Sequence, residues 1–154
     1  MKKNKYTGAV LVEFAIVLPL LLALVLGIVE FSYGFARYNS LNKVTQEGAR
    51  YFSDPLRAKD GDSAASIDVT SSNSNITSTK SLMISYDPHV LPSFLSSDIA
   101  ISSPVNDHIQ ITSTYTHNFI VGNALSSMVS LMVGSSASFG PTITMTASAV
   151  LRVQ

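Results

Sequence analysis

The chain has 154 residues, with ten basic and ten acidic side chains, no cysteine and no tryptophan. The charge balance offers no basic surface for nucleic acid, and the absence of cysteine excludes a disulfide framework, a thiol nucleophile and a thiolate zinc site. Once a membrane-length segment is set aside, enough chain remains for one small domain with a modest core.

The first elements are a short basic leader, residues 1–8, and an apolar run from Ala9 to Val29 whose only charge is Glu13. As a helix rising about 1.5 Å per residue, that run spans roughly 30 Å, the hydrocarbon thickness of a bilayer. Lys2, Lys3 and Lys5 precede it, leaving seven basic against ten acidic residues in the remainder of the chain. The asymmetry predicts a single-pass protein of the cytoplasmic membrane, N-terminus in and C-terminus out. A secretory signal peptide fits poorly, because the apolar run is longer than the usual 7 to 15 residues, lacks a small-x-small site and contains a glutamate. A lipoprotein signal would need a cysteine acceptor. An uncleaved signal anchor has the same hydropathy and is separated only by the residues at the junction.

Those residues are Gly8, which closes the leader, Glu13 at the fifth position after it, and Phe14. Gly8-Ala-Val-Leu-Val-Glu13-Phe14 resembles the prepilin peptidase site of type IV pilins. The continuation Glu-Phe-Ala-Ile-Val-Leu-Pro-Leu-Leu-Leu is similar to the TadE-like minor pilins, or pseudopilins, of the tight-adherence (Tad) pilus system. Gln46-Glu47-Gly48-Ala49-Arg50-Tyr51 resembles the Glu-Gly-Ala-Arg signature (Glu47, Gly48, Ala49, Arg50) closing the long helix of that family, and the segment from Thr142 to Arg152 is similar to its last strand. The resemblance implies cleavage between Gly8 and Ala9 by a membrane prepilin peptidase, with Glu13 and Phe14 serving recognition and assembly. It implies other pilins and the Tad assembly platform as partners beside membrane lipid, and no cofactor, metal or small-molecule substrate.

A carboxylate at the bilayer centre costs about 2.5 to 3.5 kcal/mol, less near the interface, where Glu13 would lie about 6 Å along the axis from Ala9. In the pilin reading, the new α-amino group of one Ala9 pairs with the Glu13 of a neighbouring subunit and fixes their axial register. Pro19 cannot donate to the Ala15 carbonyl, so it should kink or loosen the helix. Neighbouring groups in a membrane relieve that loss.

Beyond the run, Phe31, Phe35, Tyr38, Leu41 and Val44 recur every three or four residues and predict a helical extension over residues 30–53 with these side chains as its core face. Gly27, Gly34 and Gly48 permit close helix approach, while Tyr33 and Tyr38 suit a membrane interface. Asp54-Pro55 is the expected stop. Residues 58–81, rich in Ser, Thr and Asn, read as a surface loop around one or two weak strands. Asp60-Gly-Asp62 there is a turn, since the rest of a calcium loop is missing, and Asn75-Ile-Thr77 is a sequon of little weight.

Period-two patterns follow at Leu82-Ile84-Tyr86, at Ile99-Ile101, and over His108–Thr116 with Ile109, Ile111 and Tyr115 on one face. The longest places Ile143, Met145, Ala147, Ala149, Leu151 and Val153 together. Such half-apolar strands predict an antiparallel sheet packed on the extracytoplasmic part of the helix. Residues 119–133, about 15 long and interrupted by Asn123 and serines, predict a short amphipathic helix. Its face would comprise Val121, Leu125, Met128, Val129 and Met132.

His89, His108 and His117 lack metal-ligand spacing, with 108 and 117 on opposite faces of one strand, and no phosphate loop or nucleophile elbow appears. The expected protein is therefore no enzyme. It is an α+β, type IV pilin-like lollipop: leader 1–8, transmembrane helix 9–29, helix extension 30–53 and head 54–154. The expected role is a minor pilin processed after Gly8 and acting in Tad (type IVc) pilus assembly for surface adhesion, incorporated into the extracellular fibre. The alternatives are an uncleaved anchored sensor or binding domain and a processed assembly factor that stays in the membrane.

Overall fold

A computed structural model describes residues 6–57, 69, 73–104, 108–119, 122, 126–127, 130–131, 134 and 142–152. The elements in chain order are helix α1 (Tyr6–Arg57), helix α2 (Ser74–Tyr86), a 3₁₀ turn (Ser96–Asp98) and strands β1 (Ile99–Ser102), β2 (His108–Asn118) and β3 (Thr142–Arg152). The fold class is α+β, as the sequence predicts. The chain divides into two compact units, one of Met1–Gly34 with Asn118–Ile143 and the other of Phe35–His117 with Thr144–Gln154.

In the first unit, α1 passes through Pro19 as uninterrupted helix. Apolar side chains cover it all round: from Gly8 to Val29 only Pro19, Ala23, Leu26 and Gly27 are half-buried and the rest are exposed. Buried packing therefore does not hold this segment helical. Long apolar side chains have good helix propensity, and an exposed apolar surface of this length suits lipid rather than water. Ser32 keeps its hydroxyl satisfied within the helix by donating to the Ile28 carbonyl at 2.8 Å.

The second unit holds the core. Leu41, Val44, Ala49 and Phe52 of α1 are buried with Ile76 and Met83 of α2, Leu91, Phe94, Ile99, Ile109, Ile111, Tyr115 and Ala147. Polar residues on the buried face of α1 bond to its own backbone: Thr45 donates to the Leu41 carbonyl at 2.7 Å and Ser53 to that of Arg50 at 2.8 Å. The aromatic stripe expected as core departs from this. Phe31, Phe35 and Tyr38 remain 76%, 57% and 43% exposed, while Leu41 and Val44 are fully buried. The buried line instead runs through Leu41, Val44, Gly48 and Phe52, with half-buried Arg37 at its start, and the aromatic side chains lie roughly a quarter turn away from it.

The helix also runs past its expected stop at Asp54-Pro55, to Arg57. Proline this close to the end removes one bond, toward the Tyr51 carbonyl, in a turn already short of partners.

A larger correction concerns α2. Residues expected as loop and a short strand at 82–86 form a helix, capped by Asn73, whose side chain accepts from the Asn75 amide at 3.0 Å. Alternation at Leu82, Ile84 and Tyr86 is present in the sequence, but burial follows Ile76, Thr79 and Met83, a three- and four-residue spacing. Ser and Thr have poor helix propensity; Thr79, fully buried, keeps its hydroxyl satisfied by donating to the Asn75 carbonyl at 2.7 Å. Most of the 58–72 segment, with Asp60-Gly-Asp62, lies outside the described residues.

The sheet is antiparallel, ordered β1-β2-β3, with Ile99 opposite Ser113 and Ile101 opposite Ile111. On β2 the side chains of Ile109, Ile111, Ser113, Tyr115 and His117 alternate inward, extending the predicted face by one residue pair. Met145, Ala147, Ala149 and Leu151 do so on β3, while Ile143 is exposed and Val153 is not described. Gln110 on β2 donates to the Ser148 hydroxyl on β3 at 3.1 Å. Between β2 and β3, residues 122, 126–127 and 130–131 are helical, but the apolar face named for that segment lies outside the described residues.

Candidate functional site: the N-terminal half of the long helix

The two groups of candidate residues on α1 occupy different surroundings. At the N-terminal end, Gly8, Ala9, Glu13 and Phe14 are all exposed on the helix, and a Cβ added at Gly8 would meet nothing within 4 Å. Ala9 and Glu13 stand four residues apart and so share a helical face, one turn from each other. Among the described residues Glu13 has no charged partner; the ion pair that is present joins Glu47 and Arg50. An exposed carboxylate within an exposed apolar surface has desolvation ahead of it wherever that surface becomes covered, and it needs a cation or donor when that happens.

The signature residues divide by burial. Gly48 and Ala49 face the core and Glu47 and Arg50 face out. The reason for glycine at 48 is steric: a Cβ there would lie 2.4 Å from the Met83 sulfur and 2.8 Å from Met83 Cγ, so the Met83 side chain of α2 fills the space over Gly48. Ala49, fully buried, permits the same approach one residue on. Glu47 and Arg50 meet at 3.4 Å with side chains 43% and 67% exposed, a contact of little energetic weight. With Tyr51, Asp54, Leu82 and Tyr86 they border an open groove of about 590 Å³. The signature thus combines a packing function at its centre with a solvent-facing ion pair at its flanks.

The residue range of these two groups matches a family model. Residues 8–50 match that of the TadE-like proteins. This segment is TadE-like. The match begins at Gly8 and ends at Arg50, so it takes in both the Gly8 to Phe14 junction and the Glu47 to Arg50 signature, and the TadE-like segment coincides with most of α1. The match covers 43 of the 154 residues, so the likeness is one of this segment. Among the described residues one helix is long and apolar enough to cross a membrane, which is compatible with single-pass anchoring. No curated protein and no solved structure matches the chain.

Two contacts escaped sequence reasoning. Met83 as the partner of Gly48 was hidden because residues 82–86 read as a strand. The contact of half-buried Arg37 with buried His117 was hidden because Arg37 lies between the apolar positions of the helix; a face opposite His108 puts His117 with Ile109, Ile111 and Tyr115, but nothing in the sequence pairs that face with Arg37. Among the described residues no three His, Asp or Glu side chains converge in a way that could hold a metal ion.

Proposed function

We propose that this chain is a minor pilin of the Tad system, cleaved after Gly8 by a prepilin peptidase and drawn from the membrane into a surface-adhesive pilus. The observation that carries the reading is the TadE-like match over residues 8–50, which starts at the glycine of the junction. The exposed apolar helix supports it, because such a surface must be covered by lipid before assembly and by other subunits after it. The lysines ahead of Gly8 support an N-in, C-out orientation, with the head outside the cytoplasm. Prepilin peptidase, the other pilins, the Tad assembly platform and lipid are the partners this role requires.

Within that role Glu13 anchors register. Cleavage converts the Ala9 amide into a cation, and helices sliding past one another are held where that cation meets a neighbouring Glu13 in a low-dielectric bundle. Shearing of surface filaments, followed by detection of the chain in the sheared fraction and in membranes, tests the fibre role. A fibre subunit appears in the filaments; recovery from membranes alone identifies a membrane-resident assembly factor.

A further inference from the structure

Arg37 and His117 make a contact that neither membrane insertion nor processing requires. His117, 1% exposed, is the last buried residue on the inward face of β2, and its Nδ1 accepts a hydrogen bond from the Arg37 guanidinium on α1. The same guanidinium lies 6.0 Å from the centre of the Tyr115 ring, whose hydroxyl donates to the Pro92 carbonyl at 3.1 Å. One turn further along α1, Ser40 donates to Asp87 at the end of α2 at 2.7 Å.

The chemistry of this contact is one-sided. A guanidinium has five donors, no acceptor and a fixed positive charge. The imidazole can therefore meet it through Nδ1 only as the neutral tautomer with its proton on Nε2. A proton arriving at Nδ1 removes the acceptor and sets an imidazolium against a guanidinium where water screens little.

We propose that Arg37 and His117 form an acid-sensitive latch between α1 and β2, closed while the imidazole is neutral and opened when it is protonated. Glu30 lies on the same face of α1 but two turns earlier, about 10 Å along the axis. From α2, Lys80 is held on the Ser96 carbonyl and Asp87 by Ser40. β1 has no titratable side chain, and the only charge on β3, Arg152, lies beyond the Gln110–Ser148 contact, toward the opposite end of β2 from His117. Tyr115 contributes a neutral ring. An imidazole released from the latch takes up a proton near pH 6.5, so acid favours the open form.

The test is amide hydrogen exchange of the full chain in detergent micelles from pH 7.5 to 5, corrected for the intrinsic pH dependence of exchange. It is read on peptides covering residues 35–45 and 108–118. Protection in the wild type is expected to fall by up to about tenfold per pH unit below about pH 6.5. His117→Gln, whose amide oxygen accepts from Arg37 without titrating, is expected to abolish that fall. His89→Gln and His108→Gln are expected to keep it. Arg37→Met, which removes the fixed cation, flattens the profile as well and decides the matter if His117→Gln does not fold. A wild-type profile without the fall, or one unchanged in Arg37→Met, overturns the latch.

Discussion

Gly48→Val is expected to destabilise the second unit by about 2 to 3 kcal/mol, the usual cost of forcing extra methyl groups into a filled core. The direction is not set by helix propensity, since valine is no worse than glycine inside a helix. It is set by Met83, which is 1% exposed, with its sulfur 2.4 Å and its Cγ 2.8 Å from where the new Cβ must go. The Met83 side chain has to swing aside, and at 1% exposure it can do so only by displacing its packed neighbours. Urea midpoints followed by the near-ultraviolet dichroism of the tyrosines measure the loss. Met83→Ala supplies the control: in its presence the valine should cost at least about 1 kcal/mol less than in the wild type, as coupled neighbours do. Strictly additive losses would mean that the close approach of α1 and α2 is not what requires glycine.

Glu13→Ala has the second large effect, and it falls on assembly rather than folding. Removing a carboxylate from an apolar run eases insertion, so the variant should reach the membrane in wild-type amount. In the fibre it leaves the Ala9 cation of a neighbouring subunit buried and unpaired. A buried pair broken in this way costs about 3 to 5 kcal/mol, equivalent to more than about a hundredfold in subunit affinity. The expected result is wild-type membrane signal with sheared filaments nearly devoid of the protein. Wild-type recovery of Glu13→Ala from filaments would remove the register role assigned to that side chain.

The parts of this molecule legible in the sequence are those where one physical pattern dominates. The apolar run over Ala9–Val29 reads as a helix because it is membrane-length and broken by only one charge, Glu13, and β3 reads as a strand because its alternation persists through Leu151. The α2 segment was illegible for the opposite reason. Its helical spacing rests on Ile76, Thr79 and Met83 among serines and threonines, and the packing of Met83 onto Gly48 outweighs a local preference for loop or strand. The aromatic stripe misled in another way. Phe31, Phe35 and Tyr38 have the spacing of a core face, yet spacing does not say whether the covering surface belongs to the same chain. The signature at Glu47 to Arg50 could be named from the sequence, but only contact with α2 divides it into a buried pair and an exposed pair.

The central claim is that the chain enters the pilin pathway through the Gly8–Ala9 bond, and the most direct measurement is the N-terminal residue of the protein extracted from membranes, by intact mass or terminal sequencing, with and without the host prepilin peptidase. The account predicts a start at Ala9 that depends on the peptidase. A leader retained in its presence would contradict the account and leave an uncleaved, membrane-anchored head.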